Sequence, residues 1–273
     1  MSVSAKIEGA DERLLSDEES ELITSLSETV NGVLRGKEAV VFNVFTSVLA
    51  GGHVLLEDVP GVGKTTLAQA ISKVLGCSFR RIQFTSDLLP SDVVGVNVYV
   101  ESTGDYHFRQ GPLFANFVLA DEINRTTPKT QSSLLEAMSE GQVSLDNETM
   151  ALPSPFLVVA TQNPQDFHGT YPLPESQLDR FMMRLSIGYP APQQERTILR
   201  TRKDQNPVEH LKAIIDLKTL SDLQARIHRV RIDESVLDYI LSIVDATRNH
   251  ASISLGVSTR AALEFQKAIR ARA

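Results

Sequence analysis

Residues 58–65 form the first motif along the chain whose residue types and spacing suit a chemical function. Their sequence, Asp-Val-Pro-Gly-Val-Gly-Lys-Thr, meets three of the four specified positions of the phosphate-loop template G-x-x-x-x-G-K-[ST]. The exception is the first glycine, where Asp58 stands at the least informative position of the template. Gly61 and Gly63 let backbone N–H groups turn toward phosphate oxygens, and a helix starting near Lys64 adds its positive end. The segment therefore predicts that the protein binds a nucleotide.

Two side chains of this loop have a specific expected task. Lys64 is expected to reach the terminal phosphates of the nucleotide, and the Thr65 hydroxyl is expected to ligate Mg²⁺. A chance Gly-Lys-Thr at a helix start would occur in roughly one chain in ten of this length. An apolar strand before the loop and an apolar helix after it favour the phosphate-binding interpretation, because the motif requires that context. The predicted nucleotide-binding residues are Pro60, Gly61, Val62, Gly63, Lys64, Thr65 and Thr66.

A second motif follows the apolar run 117–120, which leads directly into Asp121 and Glu122. A buried strand that ends in two carboxylates presents them at its carboxyl end, where ligands bind in open α/β sheets. Asp121 is expected to hold Mg²⁺ through water, and Glu122 is expected to orient and deprotonate the attacking water. Two solvated acids at a strand exit are the plain alternative, and the preceding phosphate loop argues against it. The pair therefore predicts a site for nucleotide hydrolysis.

A third candidate group follows another apolar run, 156–160, which continues into Thr161-Gln162-Asn163-Pro164. An asparagine before a proline is most often a turn residue. An amide both donates and accepts hydrogen bonds, so Asn163 at the same sheet edge as Asp121 could contact the attacking water or the γ-phosphate. We therefore expect Asn163 to act as a sensor of the nucleotide.

The elements that must position these groups follow from the pattern of apolar runs. Continuous apolar runs alternate with helical patterns, and strands without in–out alternation are typical of a parallel sheet covered on both faces. We therefore predict an α/β fold, with a parallel five-stranded sheet flanked by helices and a small all-α lid after it. Hairpins are expected at 97–109 and across Asp146-Asn147. The expected strands are 53–57, 79–84, 117–120, 156–160 and 183–187.

The chain is expected to divide into three parts. Residues 1–21 hold seven acidic residues against two basic ones, and this segment is expected to be flexible, with a first helix beginning near Ser20. Residues 22–188 are expected to form the α/β nucleotide-binding core, and residues 189–273 the helical lid. The final helical pattern has no stop signal such as Gly or Pro, so a truncated lid is expected. The expected lid helices are 193–203, 218–229, 234–249 and 258–272.

The composition excludes several classes of protein. The 273 residues, 42% of them hydrophobic and 22% charged, are typical of a globular chain rather than a disordered one. The single cysteine, Cys77, excludes a disulfide framework and favours a cytoplasmic location. No apolar run approaches the roughly 20 residues that a membrane span needs. Most of the net charge of −7 lies in residues 1–21, so the nearly neutral remainder gives no reason to expect nucleic-acid binding.

In this order, the motifs resemble those of the AAA+ ATPases, and specifically those of the MoxR family. The resemblance extends over about residues 22–273, and several of the motifs are specific to the family rather than general for phosphate loops. The departure at Asp58 puts little of it in doubt. The segments that carry the resemblance are 55–65, 84–92, 121–125, 131–138, 160–164, 177–181 and 256–260.

The resemblance implies a hexameric ring in which ATP lies between subunits. Arg180, in Leu-Asp-Arg-Phe, would then be the arginine finger offered to a neighbour's γ-phosphate. Arg260, which opens the last helix, would be a second sensor that acts in cis. A guanidinium suits both tasks because it is always charged and pairs with phosphate through two hydrogen bonds. The resemblance also implies that hairpins at 97–109 and 141–152 face the ring surface or its pore.

The implied activity is Mg²⁺-dependent ATP hydrolysis that remodels partner proteins, in enzyme maturation or metal-cofactor insertion. The implied partner is a von Willebrand factor A-domain protein or another client. Two alternatives stay open: an ATPase subunit similar to that of magnesium chelatase, and a nucleotide-gated regulatory scaffold with negligible hydrolysis. A GTPase is not favoured, because the guanine-binding motif N-K-x-D does not occur in the chain.

Overall fold

The computed structural model of the chain describes residues 16–145, 148–164, 169–201 and 207–273. The expected turn at Asp146-Asn147, and residues 1–15 of the expected flexible segment, lie outside these ranges. The described strands are β1 (Val54–Glu57), β2 (Phe79–Gln83), β3 (Gly95–Val100), β4 (Asp105–Gln110), β5 (Phe117–Asp121), β6 (Gln142–Leu145), β7 (Glu148–Ala151), β8 (Leu157–Gln162) and β9 (Met183–Leu185). The described helices are α1 (Asp17–Val33), α2 (Glu38–Leu49), α3 (Lys64–Val74), α4 (Pro90–Val94), α5 (Pro128–Glu140), α6 (Glu175–Leu178), α7 (Pro192–Thr201), α8 (Leu217–His228), α9 (Glu234–Asn249) and α10 (Thr259–Arg272).

Five strands form one parallel sheet in the order β2-β5-β8-β1-β9. All five residues of β5 are buried, because helices cover both faces of the sheet. Its successive side chains enter different apolar clusters: Phe117 and Leu119 lie in one, and Val118 and Ala120 lie in the other. Burial on both faces explains why this strand is a continuous apolar run in the sequence. The predicted α/β fold with a five-stranded parallel sheet is confirmed.

Each apolar cluster is built by different helices. The cluster with Leu119 includes Leu26 of α1, Val44 of α2 and Ile71 of α3, together with Leu220 of α8. The cluster on the other face includes side chains of α4 and α5. Helix α8 comes from the C-terminal region, so that region packs directly on α2 and completes one of the two cores.

Helix α1 begins at Asp17, before the expected start near Ser20. Ser16 is the N-cap, and its hydroxyl accepts a hydrogen bond from the backbone N–H of Glu19 at 3.2 Å. The Glu19 carboxylate in turn accepts the N–H of Ser16 at 2.8 Å, which completes a capping box. Residues 17–21 of the segment expected to be flexible are therefore helical.

The two expected hairpins are present. Strands β3 and β4 pair antiparallel with Val100 opposite Asp105, and β6 pairs with β7 with Leu145 opposite Glu148. Both hairpins lie outside the parallel sheet. The short helices α4 and α6 were not predicted, because a single turn of helix leaves too few residues for a periodic pattern.

The last strand of the sheet is shorter than expected. Strand β9 ends at Leu185, whereas the apolar pattern predicts a strand to Ile187. The backbone N–H groups of Ile187 and Gly188 instead donate to the carboxylate of Asp58, so the chain leaves the sheet early. Four helices, α7 to α10, follow in the C-terminal region, hereafter the lid. Within the described residues no helix has the length and apolar character that crossing a bilayer requires.

Candidate functional site

The carboxyl ends of β1, β5 and β8 lie side by side at one edge of the sheet, hereafter the carboxyl edge. Glu57 is opposite Gln162 in the register of β1 with β8, and Asp121 is opposite Gln83 in the register of β5 with β2. The phosphate loop follows β1, and Glu122 follows β5. Asn163 follows β8 and is 8% exposed. The structure thus brings the three predicted motifs together at one edge.

The phosphate loop turns sharply at its glycines. Gly61 has φ 85° and Gly63 has φ 101°, a region of backbone conformation that favours glycine. A Cβ added to Gly61 would have open space around it, so this glycine is needed for its conformation. Gly63 caps α3, and Lys64, Thr65 and Thr66 form the first turn of that helix. The loop therefore presents the positive end of a helix, a fitting cradle for phosphate.

Lys64 is the first residue of α3, and its side chain folds back over the loop. Its Nζ donates to the backbone oxygen of Asp58 at 2.6 Å and to that of Val59 at 3.4 Å. Burial lowers the pKa of Lys64, and the carboxylates of Asp121, Asp58 and Glu122 oppose that change only in part. The ammonium therefore lies against the loop carbonyls, and the charges of Asp121 and Glu122 act on it.

Asp121 is held by two residues that sequence analysis did not identify as part of the site. Its Oδ2 accepts hydrogen bonds from Arg81 Nη2 at 2.6 Å and Nε at 3.0 Å, and its Oδ1 accepts one from Thr161 Oγ1 at 2.6 Å. Arg81 is on the neighbouring strand β2, with its side chain 47% exposed, while the side chain of Asp121 is 10% exposed. Both carboxylate oxygens of Asp121 are thus fixed in place.

Glu122 has an unusual backbone conformation, with φ 58° and ψ 48°. Few residues other than glycine adopt this left-handed region, and such conformations cluster at functional sites. Its N–H donates to Thr161 Oγ1 at 2.9 Å. Its carboxylate accepts from Gln83 Nε2 at 2.9 Å and pairs with Arg125 Nε at 3.2 Å. Polar partners on β2 and in the following turn therefore restrain the predicted base.

No three His, Cys, Asp or Glu side chains lie together as a ready metal site within the described ranges. Mg²⁺ differs from structural metals in this respect, because it is commonly bound by one or two protein groups together with nucleotide phosphates and water. Thr65, in the first turn of α3, and Asp121, at the end of β5, offer such a pair of groups. The donor set therefore fits Mg²⁺ that arrives with a nucleotide.

A cavity of about 480 Å³ opens beside the phosphate loop, and sequence analysis did not predict it. One wall is the phosphate loop, another is the chain between α1 and α2, and a third comes from the lid. Its size lies within the usual range for small-molecule sites. No motif marks these residues, because most of them contribute backbone or apolar surface. The lining includes Val33, Leu34, Arg35, Lys37, Gly61, Val62, Gly63, Thr66, Tyr189, Pro190, Ile198 and Leu199.

The two predicted arginines lie elsewhere, close to one another. Arg180 Nη1 donates to the backbone oxygen of Leu135 at 2.9 Å and also bonds to Ser139 Oγ, in the last turns of α5. Arg260 Nη2 donates to the same Ser139 Oγ at 3.2 Å. A second cavity of about 280 Å³ borders this cluster and includes Glu136 in its lining. The structure thus places Arg180 and Arg260 together on the last turns of α5.

This arginine cluster is at the opposite edge of the sheet, hereafter the amino edge. Met183 is paired with Val54, the first residue of β1, and the N–H of Met182 donates to the backbone oxygen of His53 at 2.8 Å. Arg180 precedes this pairing. The charge of Arg260 also acts on the imidazole of His53, just before β1. Strand β1, of four residues, separates this edge from the phosphate loop by roughly 13 Å at about 3.3 Å per residue.

The expectation that Arg260 acts in cis is therefore corrected by the geometry. In this structure Arg260 lies at the amino edge with Arg180, and the phosphate loop is at the carboxyl edge. The N-cap of α10, Ser258, donates to Asp179 Oδ2 at 2.7 Å, which fixes the start of the helix beside Arg180. Sequence analysis missed this because the packing of the lid on α5 is a long-range contact that no local pattern encodes.

His53 joins the elements that carry the arginine cluster. Its Nδ1 accepts the backbone N–H of Val158 at 3.1 Å, so its Nε2 carries the proton and donates to the Met138 oxygen at 3.0 Å. Met138 immediately precedes Ser139 in α5. Burial lowers the pKa of His53 and outweighs the Met138 bond, which raises it. A neutral imidazole thus ties the end of α5 to the amino edge.

Comparisons with known proteins agree with the fold. Residues 53–183 match the ATPase family associated with various cellular activities (AAA). The chain is 50% identical to the protein YeaC of Bacillus subtilis over 92% of this chain and 79% of that protein. It is 40% identical to the chaperone MoxR1 of Mycobacterium tuberculosis over 89% of this chain and 67% of that protein. A crystal structure of a candidate ATPase from Cytophaga hutchinsonii superposes with a TM-score of 0.84, at 39% identity, and covers 92% of this chain and 79% of that one.

Proposed function

The chain belongs to the MoxR family of AAA+ ATPases, and from this membership we propose that it hydrolyses ATP with Mg²⁺ in a ring of identical subunits. The observation that carries the proposal is the separation of the acidic pair from the arginine cluster by the length of β1. Each chain has a phosphate loop at its carboxyl edge and two arginines, Arg180 and Arg260, at its amino edge. A ring, in which unlike edges meet, would bring these two halves together.

In this proposal ATP occupies the cavity beside the phosphate loop, with its base between the lid and the end of α1. The phosphates lie over the first turn of α3, where Lys64 leaves the loop carbonyls to pair with them. When bound, Mg²⁺ neutralises phosphate charge and fixes the phosphate geometry. Thr65 would hold it directly, and Asp121, oriented by Thr161, would hold it through water.

Glu122 is proposed as the group that accepts the proton of the attacking water. Its carboxylate must first exchange its bonds to Gln83 and Arg125 for a water. Asn163 is proposed to orient that water or to contact the γ-phosphate through its amide. Arg180 and Arg260 of the adjoining subunit are proposed to stabilise the charge that develops on the transferred phosphoryl group.

We propose that the free energy of ATP hydrolysis drives the remodelling of a partner protein. The support is the similarity to a protein named as a chaperone and the presence of two hairpins outside the core sheet. The proposed partner is a von Willebrand factor A-domain protein or another client whose maturation or metal insertion requires it. We propose that this takes place in the cytoplasm, in hexamers.

The test is steady-state ATP turnover with Mg²⁺ at a series of protein concentrations, for the wild type and for Glu122→Gln. Loss of the base is expected to lower turnover by roughly 10²–10⁴-fold while ATP binding persists. Glu28→Gln is the matched control, since Glu28 is exposed on α1. We expect wild-type turnover per subunit to rise with concentration.

Two other results would contradict the proposal. Equal turnover of the wild type and Glu122→Gln would remove Glu122 from the chemistry. Tight ATP binding with negligible wild-type turnover at every concentration would instead support a nucleotide-gated scaffold.

A further inference from the structure

Asp58 replaces the first glycine of the phosphate-loop template, and its carboxylate accepts four hydrogen bonds. Oδ2 accepts the backbone N–H groups of Ile187 and Gly188, each at 2.6 Å, and the hydroxyl of Ser186 at 3.0 Å. Oδ1 accepts the N–H of Val59 at 3.0 Å. Asp58 is 8% exposed, so these bonds are largely shielded from water. A glycine at this position could make none of them.

The charged form of Asp58 is stabilised by this arrangement. Burial alone would raise the pKa of the carboxyl, but the hydrogen bonds from Gly188, Ser186, Ile187 and Val59 together lower it below its ordinary value. Hydrogen bonds to an ionised acceptor are roughly twice as strong as neutral ones. The carboxylate is thus a firm link between the phosphate loop and residues 186–188.

Residues 186–188 are the point at which the chain leaves the sheet for the lid. Strand β9 ends at Leu185 and α7 begins at Pro192. Gly188 has φ 67°, which lets the chain turn there. The next two residues, Tyr189 and Pro190, line the cavity beside the phosphate loop. Movement of this segment would therefore change both the lid and the cavity.

The same residue is linked to the phosphate-binding lysine. Lys64 Nζ donates to the backbone oxygen of Asp58 at 2.6 Å, and this bond must weaken if Lys64 turns toward a phosphate. The side chain of Asp58 meanwhile holds residues 186–188. Asp58 therefore connects Lys64, the side chain expected to reach the terminal phosphates, with the segment that leads into the lid.

We propose that Asp58 is a positioning residue that transmits occupancy of the phosphate loop to the orientation of the lid. The proposal rests on the proposed function, because it assumes that a nucleotide binds the loop. The backbone of Asp58 is not in the left-handed region. Among the described residues, Glu122 is the one non-glycine residue with positive φ. Glycine, the template residue, can therefore replace it without disturbing the turn.

The experiment compares the wild type, Asp58→Gly and Asp58→Asn in the full chain. Cysteines introduced at the exposed positions Lys129 of α5 and Asp238 of α9 carry a fluorescent donor and acceptor. The native Cys77 is only partly buried, so it is replaced by serine in every protein and the labels attach to the two introduced cysteines alone. Energy transfer is recorded before and after saturation with ADP and Mg²⁺, and the affinity for ADP is measured separately with a fluorescent analogue.

We expect ADP to change the energy transfer in the wild type, and Asp58→Gly to lose most of this change while it keeps its affinity for ADP. Asp58→Asn retains one acceptor oxygen, so its change is expected to be intermediate. Glu28→Gln, at an exposed carboxylate of α1 outside this link, is the matched control and is expected to resemble the wild type.

Each other outcome has a definite meaning. An undiminished change in Asp58→Gly, or no change in a wild type that binds ADP, would overturn the proposal and leave the proposed function standing. Failure of the wild type to bind ADP would overturn the proposed function as well. If Asp58→Gly does not fold, the decision falls to Asp58→Asn, whose full wild-type response would overturn the proposal.

Discussion

The carboxyl edge and the amino edge of the sheet differ in what one chain can complete by itself. At the carboxyl edge, the phosphate loop, Asp121 and Glu122 lie within reach of one another, and neighbouring strands hold them in place. At the amino edge, Arg180 and Arg260 share Ser139, and the phosphate loop of the same chain lies at the other end of β1. The difference is what the proposed ring would require, in which the carboxyl edge of one subunit meets the amino edge of another.

The largest effect is expected from Arg180→Ala, which removes the cation proposed to act across the subunit boundary. Turnover is expected to fall by roughly 10³–10⁵-fold, since that is the usual contribution of an arginine finger. Affinity for nucleotide is expected to stay near that of the wild type, because Arg180 is remote from the phosphate loop of its own chain. Steady-state turnover and equilibrium binding of a fluorescent nucleotide give the two quantities.

A matched control is Arg231→Ala, which removes an exposed arginine between α8 and α9. Sedimentation must show that Arg180→Ala assembles as the wild type does, so that the loss is assigned to chemistry. Turnover close to that of the wild type in assembled Arg180→Ala would show that the amino edge does not supply the finger.

A smaller effect, on stability, is expected from His53→Gln. The variant keeps a donor for the Met138 oxygen but leaves the N–H of Val158 without its acceptor. An unpaired buried N–H costs about 1–3 kcal/mol, so the free energy of unfolding should fall by about this amount near pH 8. Urea unfolding followed by circular dichroism measures the difference.

Comparison of the wild type with His53→Gln over a range of pH also tests the pKa of His53. Because burial lowers this pKa below its ordinary value of 6.5, the wild type is stabilised above about pH 6.5 and loses stability as the pH falls toward the folded-state pKa. Glutamine does not titrate, so the gap between the two proteins should narrow on going from about pH 8 to about pH 5.5. A gap that is constant over this range would show that His53 is not held neutral by burial.

How much of the site could be predicted differs between the two edges for a physical reason. Asp121 ends a strand, Asn163 directly follows one, and Lys64 belongs to the loop motif that follows β1; parallel strands bring these ends together. Arg81 and Thr161 gave no such signal, because their bonds to Asp121 cross between strands. The amino edge depends on the lid packing against α5, which no local pattern encodes.

Asp58 shows the limit of a template. As a mismatch with the phosphate-loop pattern it carried little information, yet its carboxylate shortens β9 and holds the segment that leads to the lid. The strand, the loop and the helix around it were predicted from apolar periodicity and glycine positions. The contact between the Asp58 carboxylate and Gly188, 130 residues further along the chain, could not be predicted, because it depends on the assembled fold.

The most direct measurement of the central claim is ATP turnover of mixtures of inactive variants. Glu122→Gln has a defective carboxyl edge and an intact amino edge, and Arg180→Ala and Arg260→Ala have the reverse. If unlike edges meet, about a quarter of the boundaries in an equal mixture pair two intact halves. We therefore predict that Glu122→Gln mixed with either arginine variant regains turnover, and that the two arginine variants mixed together do not. Mixtures that co-assemble but stay as inactive as their components would contradict the account.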